Sequence, residues 1–335
     1  MNDLVNRFRT GEQLALARLI SVIENEDSRR NEVMAQLYPL MGKTYIVGIT
    51  GSPGAGKSSL VDRLSVILRK RDETIGIIAV DPSSPFSGGA LLGDRIRMQT
   101  HALDKGVFIR SMGTRGSLGG LAHTTKDVAK AMDAFGFQWV VIETVGVGQA
   151  EIDIMHIADT TVVILTPGAG DSIQTIKAGI MEIADVFAVN KSDLPGADRV
   201  ATEIETMLDL HCDTTKWRPP VVQVSSVTNM GLEDLLNAIE SHRQHLLATG
   251  VFQKIRQERI KEETLEIVNY QWQQLVSRQV KIPGRVNELL QEVLNRKIDP
   301  YTAANNILAH VAASFKVEGV EGVEGVEGAP QRKIM

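Results

Sequence analysis

The chain contains a single cysteine, Cys212, among its 335 residues, so an internal disulfide and a multi-cysteine zinc site are both excluded. Such scarcity is typical of proteins from a reducing compartment, and we expect a cytoplasmic location. No apolar run reaches the roughly 18 residues that a membrane-spanning helix needs, and the N-terminal segment lacks the apolar core of a signal peptide. We therefore expect neither a membrane span nor a leader.

Basic charge is not in excess either. The 36 Lys and Arg residues face 41 Asp and Glu residues, which gives a formal net charge of −5 at pH 7. A nucleic-acid-binding protein usually concentrates positive charge, so we do not expect a nucleic-acid partner. The 43% hydrophobic content excludes a wholly disordered chain and is enough for a large core.

Apolar runs of β-branched residues alternate with amphipathic stretches in the middle of the chain, a pattern that predicts βαβ units and a mostly parallel sheet. The fold class is therefore α/β, with flanking helices at both ends. We expect N-terminal helices over 1–43, a nucleotide-binding domain over 44–248, a C-terminal helical region over 249–315 and a disordered VEG-repeat tail over 316–335. The predicted strands are 45–50, 74–80, 107–111, 138–143, 161–166, 185–190 and 221–225.

The strongest motif lies between the first predicted strand and a predicted helix, and it fits G-x-x-x-x-G-K-[ST] in full. Glycines let backbone N–H groups approach phosphate oxygens, and the following helix N-terminus adds its dipole. Lys57 supplies a cation for the β- and γ-phosphates, and Ser58 offers a hydroxyl to Mg²⁺. The candidate phosphate-binding residues are Gly51, Ser52, Pro53, Gly54, Ala55, Gly56, Lys57, Ser58 and Ser59. Together with the mostly parallel sheet, this motif predicts a P-loop NTPase fold for the domain over 44–248.

A second motif, Asn190-Lys191-Ser192-Asp193, ends a later apolar run and predicts recognition of guanine. The Asp193 carboxylate accepts hydrogen bonds from guanine N1–H and its 2-amino group, whereas adenine lacks this donor pair. The aliphatic stem of Lys191 suits the ring plane, and Asn190 is placed to bridge loops. After the strand that follows, Ser225, Ser226 and Val227 match a loop whose backbone N–H recognises guanine O6 in many GTPases.

Acidic residues after other strands are candidates for magnesium binding and hydrolysis. Glu143 precedes Gly146, whose N–H is placed to sense the γ-phosphate; GTPases commonly have Asp at the first of these positions. Asp81 and Asp94 also fall on loops at the expected ligand edge of the sheet, although a turn residue and a helix N-cap are the alternative interpretations. The candidate catalytic residues are Lys57, Asp94 and Glu143, and the candidate magnesium ligands are Ser58, Asp81, Asp94 and Glu143.

The glycine-rich segment from Gly168 to Lys177 is interpreted as a switch that responds to the nucleotide, with a plain connection as the alternative. Asp171, Gln174 and Lys177 are its candidate functional residues. Two other features receive structural interpretations: His242 and His245 are expected on a solvated helix face, and Trp217 is expected to pack.

With these motifs together, the sequence resembles the GTPase chaperones of methylmalonyl-CoA mutase, the MeaB/ArgK-type family. The segments that carry the resemblance are GITGSPGAGKSSL, VDPSSPFSGGALLGDRIRM, VVIETVGVGQAE, GAGDSIQTIKAGIMEIAD and VNKSDL. The resemblance implies GTP as substrate, Mg²⁺ as cofactor, a homodimer built with the C-terminal helices, and an adenosylcobalamin-dependent acyl-CoA mutase as partner. It implies no cobalamin bound by this chain itself.

Two other functions remain open from the sequence. A metal-insertion GTPase shares the phosphate-loop pattern, but the chain has no histidine-rich or multi-cysteine segment. A transport-associated protein kinase would use ATP, which the Asn190–Asp193 motif disfavours.

Overall fold

The molecule is an α/β protein whose centre is a seven-stranded sheet. The computed structural model describes residues 2–25, 29–81, 101, 103–113, 123–144, 153–168, 182–210, 217–281 and 285–317. All seven predicted apolar runs form strands, and every pairing in the sheet is parallel. The strands are β1 (Tyr45–Gly51), β2 (Ile75–Asp81), β3 (Val107–Gly113), β4 (Trp139–Glu143), β5 (Thr160–Leu165), β6 (Val186–Val189) and β7 (Val221–Gln223).

The strand order is β3-β2-β4-β1-β5-β6-β7, which places β1 at the centre between β4 and β5. In this register Val47 of β1 lies beside Val141 on one side and Thr160 on the other. The arrangement confirms the predicted P-loop fold class. It also brings the carboxyl ends of β1, β4 and β6 to one edge of the sheet, because all strands run in the same direction.

As expected from the sequence, helices occur at both ends of the chain and between the strands, within the described ranges. They are α1 (Asn2–Arg9), α2 (Gln13–Glu24), α3 (Arg30–Leu37), α4 (Lys57–Lys70), α5 (His123–Phe135), α6 (Ala197–Leu210), α7 (Leu232–Ala248), α8 (Val251–Lys281), α9 (Arg285–Leu294) and α10 (Pro300–Val317). In the described part of the chain, no helix is both long and apolar enough to span a bilayer.

The chain forms two compact units, residues 1–255 and 256–335. The first contains the N-terminal helices together with the whole sheet, and the second contains most of α8 with α9 and α10. The finer division at residues 43, 248 and 315 stays a prediction. Of the tail predicted over 316–335, residues 318–335 lie outside the described residues.

Both faces of the sheet are covered at its centre, which explains why the inner strands β4, β5 and β6 are almost continuously apolar. Alternate side chains of β5 show the division: Val162 and Ile164 belong to the cluster under α4 and α7, whereas Val163 and Leu165 belong to the cluster under α1, α2, α3, α5 and α6. Burial on both faces therefore fixes β5 in the middle layer and anchors the loops at its end.

The carboxylate of Asp133, on α5, fixes the segment that leads from the N-terminal helices into β1. Its two oxygens accept hydrogen bonds from the backbone N–H groups of Gly42, Lys43 and Thr44 at 2.5, 3.0 and 3.0 Å. A buried carboxylate with three backbone donors is well compensated for its desolvation. The N-terminal helices are thus joined to the sheet by polar contacts as well as by apolar packing.

His242 contradicts the expectation of a solvated helix face. Its side chain is buried, with the residue only 3% exposed, and Nδ1 lies 2.8 Å from Oγ1 of Thr160. The same hydroxyl lies 2.5 Å from the phenol oxygen of Tyr45, and the indole ring of Trp217 packs 4.9 Å from the imidazole. The sequence shows only the spacing of His242 and His245 on one helix, whereas the partners of His242 come from β1 and β5. The expected packing role of Trp217 is confirmed.

Burial, together with the nearby His245, lowers the pKa of His242 from 6.5 to about 4. The unfolded chain therefore takes up this proton below pH 6.5, while the folded chain does not until pH approaches 4. The stability contributed by neutral His242 is fully present above pH 6.5 and declines as the pH falls from 6.5 towards 4. At pH 5 the loss from this one group is about 2 kcal/mol.

We predict that His242→Gln reduces the difference in unfolding free energy between pH 7 and pH 5 by about 2 kcal/mol, because the variant has no imidazole to protonate. Urea titrations at the two pH values measure this difference. The matched control is His245→Gln on the same helix, which should keep most of the pH dependence. A wild-type protein that gains stability on acidification would show instead that Asp185, 3.5 Å from Nε2, holds a proton on His242.

Candidate functional site

The candidate site lies at the edge of the sheet where β1, β4 and β6 end. Three segments meet there: the phosphate loop after β1, the Asn190–Asp193 motif after β6 and the Ser225–Val227 loop that follows β7. Ligands of open parallel sheets bind beyond the carboxyl ends of the strands. The topology therefore brings together motifs that are far apart in the sequence.

Two glycines of the phosphate loop are required by its geometry. Gly51 has φ of +142°, and a Cβ there would lie 2.3 Å from the carbonyl oxygen of Ile164. Gly56 has φ of +87°, and its Cβ would lie 2.4 Å from the side-chain nitrogen of Asn190. Both positions combine a backbone conformation that favours glycine with no room for a side chain.

Lys57 is the first residue of α4 and is only 7% exposed. Its Nζ donates to the carbonyl oxygens of Gly51 and Ser52 at 2.8 and 3.0 Å. These bonds hold a cation against the loop, at the positive end of the α4 dipole. Helix and lysine together favour an anion at this position.

Ser58 and Glu143 come together across the site although they stand 85 positions apart in the sequence. The Ser58 hydroxyl donates to Oε1 of Glu143 at 2.5 Å, and Glu143 is buried at the end of β4. Thr144, the next residue, is fixed by its N–H on the carbonyl oxygen of Ile49, at 3.0 Å. A hydroxyl and a carboxylate are the hard oxygen donors that Mg²⁺ prefers.

These two oxygens fit a partial magnesium shell. Within the described ranges, no group of three or more His, Cys, Asp or Glu side chains could hold a metal ion. Mg²⁺ usually keeps several waters and binds through few protein groups and the substrate phosphates.

Asn190 joins the phosphate loop to the segments expected to bind the base. The side chain is fully buried, and its Nδ2 donates to the carbonyl oxygen of Ala55 at 2.8 Å. On its other side, Oδ1 lies 3.4 Å from the Ser226 N–H and 3.5 Å from the Ser226 hydroxyl. The bridging contact expected from the sequence is therefore present.

The carboxylate of Asp193 is oriented by Ser225, a residue predicted from the sequence to contribute its backbone. The Ser225 hydroxyl donates to Oδ1 of Asp193 at 2.6 Å and accepts from the Thr228 N–H at 3.2 Å. Ser225 is fully buried, whereas Asp193 is exposed and accessible to a ligand. The motif predicts a role for the backbone of this loop and none for the Ser225 hydroxyl. The only feature of the sequence that indicated the side-chain contact with Asp193 was the presence of a serine at this position.

The other candidate residues are placed less completely. Asp81 ends β2, beside Gly113 of β3, but its side chain is not among the described features. Ser59 and Val227 are exposed at the rim, and Lys191 has a left-handed backbone with φ of +60°. The candidates Asp94, Gly146, Asp171, Gln174 and Lys177 lie outside the described residues.

Comparison with known proteins adds an independent finding. The model of the family described as "Methylmalonyl Co-A mutase-associated GTPase MeaB" matches residues 16–281. A protein of Pyrococcus abyssi is 48% identical over 314 residues, covering 93% of this chain and 97% of that protein. The GTPase ArgK of Escherichia coli is 34% identical over 264 residues, covering 76% of this chain and 80% of ArgK.

A mammalian relative and a solved structure extend the comparison. The mouse protein named "Methylmalonic aciduria type A homolog, mitochondrial" is 31% identical over 316 residues, covering 89% of this chain and 76% of the mouse protein. The crystal structure titled as an LAO/AO transport system kinase superimposes with a TM-score of 0.67 at 25% identity. That superposition covers 93% of this chain and 97% of the other.

We predict that Ser225→Ala weakens binding of guanine nucleotides by about tenfold or more, because Asp193 loses the hydroxyl that orients its carboxylate. Calorimetric titration with GDP measures the change. Ser192→Ala is the matched control in the neighbouring loop, since the Ser192 hydroxyl is buried and has no hydrogen-bond partner among the described residues. Equal losses in the two variants would contradict an orienting role for Ser225.

Proposed function

The chain belongs to the methylmalonyl-CoA mutase-associated GTPase family, and from this premise we propose that it is a GTP-hydrolysing chaperone for an adenosylcobalamin-dependent methylmalonyl-CoA mutase. Hydrolysis of GTP follows from the family and from the P-loop fold. The proposal adds the client and the task, which is to gate cofactor loading and to protect the mutase.

The phosphate end of GTP is assigned to the loop from Gly51 to Ser59. Lys57 would stabilise the charge that develops on the β- and γ-phosphates during bond cleavage. Mg²⁺, when bound, would neutralise phosphate charge, and Ser58 and Glu143 are the described residues that would hold it, with Asp81 and Asp94 as further proposed ligands. Glu143 lies within hydrogen-bond distance of Ser58, which supports a shared role.

The base end is assigned to Asn190, Lys191 and Asp193 with the loop from Ser225 to Val227. Asp193 would accept two hydrogen bonds from guanine, and Ser225 holds that carboxylate from behind. Asn190 would keep the base end in register with the phosphate end, because its amide contacts Ala55 and Ser226 at once. A water-orienting role for Asp94, γ-phosphate sensing by Gly146, and a client-responsive switch at Asp171, Gln174 and Lys177 complete the proposal.

The observation that carries the client assignment is the family match over residues 16–281. The family is named for its association with methylmalonyl-CoA mutase, and the mouse relative is named for methylmalonic aciduria. We propose a cytoplasmic encounter with the mutase, in keeping with a chain that has one cysteine. Cobalamin would stay with the mutase rather than bind to this chain.

We further propose a homodimer formed through the C-terminal helices. The 31-residue helix α8 exposes large apolar side chains. They include Ile260, Leu265, Ile267, Val268 and Trp272, which are between 43% and 64% exposed. A row of apolar side chains on a long helix favours burial against a second protein surface.

A protein kinase is the second candidate, because the solved structure with a TM-score of 0.67 is titled a transport system kinase. Such an activity would transfer phosphate from ATP to a protein acceptor. The Asp193 carboxylate argues against it, since adenine presents no paired donors to that acceptor. Labelling with radioactive ATP and GTP, with acceptor proteins present, separates the two activities.

We predict that Asp193→Asn lowers affinity for GTP by at least about 100-fold and creates affinity for xanthosine triphosphate. The amide nitrogen would donate to the 2-oxo group of xanthine, whereas the carboxylate repels it. Competitive displacement of a fluorescent guanine nucleotide measures both affinities. Unchanged preference for GTP in the variant would contradict base reading by Asp193.

The client assignment is tested with purified methylmalonyl-CoA mutase and the full chain. We predict a complex in size-exclusion chromatography and a change in GTP turnover when the mutase is added. Lys57→Ala serves as the control: it should bind the mutase but lack turnover, which excludes hydrolysis by a contaminant. Absence of a complex together with unaltered turnover would refute the client assignment while leaving the GTPase activity established.

A further inference from the structure

Arg63 connects the phosphate-binding helix to the base-reading loop, and neither the motifs nor the family match assigns it a role. It lies on α4, six positions after Lys57, which is about 9 Å along the helix axis. Its Nε donates to the carbonyl oxygen of Ser226 at 3.2 Å. One helix therefore carries the phosphate-binding lysine at its start and a contact to the base loop in its second turn.

The loop it contacts is not held by apolar packing at its tip. Val227, the residue after Ser226, is 78% exposed. Polar contacts must therefore fix the direction of the peptide groups. The Ser226 N–H faces Asn190, and the Ser226 carbonyl faces Arg63, so the peptide groups on both sides of this residue are restrained.

The contact with Arg63 fixes the peptide between Ser226 and Val227. A trans peptide is rigid and planar, and its C=O and N–H point in opposite directions. Restraining the carbonyl of Ser226 therefore directs the N–H of Val227 away from the guanidinium. A carbonyl that accepts from a cation also makes the N–H of its own peptide a stronger donor.

Among the described residues, no contact indicates a different structural role for Arg63. Its side chain is exposed, so it contributes little to the core. Throughout the described part of the chain, the Ser226 carbonyl is the hydrogen-bond partner found for this guanidinium. The other arginine on the same helix differs, since Arg69 pairs with Asp104 and contacts the carbonyl oxygen of Glu73.

We propose that Arg63 is a positioning residue that sets selectivity at position 6 of the purine. It orients the peptide group of the Ser225–Val227 loop and places positive charge behind it. Both effects favour a base with an acceptor at position 6, as in guanine, over one with a donor. The proposal rests on the proposed guanine site, and it divides base selection between Arg63 for position 6 and Asp193 for positions 1 and 2.

The test compares two analogues that each alter one edge of guanine. 6-Thioguanosine diphosphate replaces O6 with sulfur, and inosine diphosphate lacks the 2-amino group. The affinity ratios of GDP to each analogue are measured by calorimetry in magnesium buffer, using the full chain. The variants are Arg63→Met, which keeps the aliphatic stem, and Arg63→Lys, which keeps the charge. Lys70→Met, which removes an exposed cation further along α4, is the control.

In Arg63→Met we expect the ratio of GDP to the 6-thio analogue to fall about three- to tenfold, as for the loss of one hydrogen bond. The ratio of GDP to inosine diphosphate should stay unchanged. Arg63→Lys should restore much of the first ratio, and Lys70→Met should alter neither.

Two results would overturn the proposal: a parallel fall in both ratios, which marks a merely structural role, or no change in the 6-thio ratio. A failure of the guanine site itself looks different. In that case the wild-type protein would bind GDP and ADP equally, before any variant is considered.

Discussion

The buried amide of Asn190 is the contact on which the arrangement of the site depends. This side chain has a donor and an acceptor: it uses the donor on the phosphate loop and the acceptor on the Ser225–Val227 loop. No room is left for a side chain at Gly56, because the amide packs directly against that residue. The spacing between these two loops is therefore set by a fully buried polar group, whose partners would be costly to leave unsatisfied.

The fold was predictable from the sequence because its signals are local and repeated. Inner strands such as β4 and β5 are short apolar runs covered on both faces, and their length and β-branched residues favour a strand over a helix. The phosphate loop could also be predicted, because its fold requires glycine at particular positions. At Gly51 and Gly56 a side chain would collide with neighbouring backbone or side-chain atoms. The motif can be recognised because its residues lie together between Gly51 and Ser58, although the atoms that exclude a side chain at Gly51 and Gly56 belong to the distant residues Ile164 and Asn190.

The features of the structure that could not be predicted from the sequence depend on contacts between distant segments. His242 looked like a surface residue because its neighbours on α7 are polar, yet Thr160 and Trp217 enclose it from elsewhere in the chain. The Ser225 hydroxyl likewise acts on Asp193, 32 positions away. A motif states which residue types are present at a given spacing; it does not state which of their atoms face one another. The Arg63 contact belongs to the same category, since no pattern marks it.

The central position of β1 has a consequence for the order of events on the ribosome. The phosphate loop directly follows this strand and is synthesised early. Its partners come much later: Thr160, which contacts the Tyr45 hydroxyl of β1, follows that residue by 115 positions, and Asn190, which contacts Ala55, follows it by 135 positions. Non-local pairing of this kind slows folding because long loops must close first. A nascent chain that ends before β6 carries the complete phosphate-loop sequence without the amide that seats it. Nucleotide binding that needs this amide therefore becomes available only after β6, the sixth of the seven strands, has been synthesised.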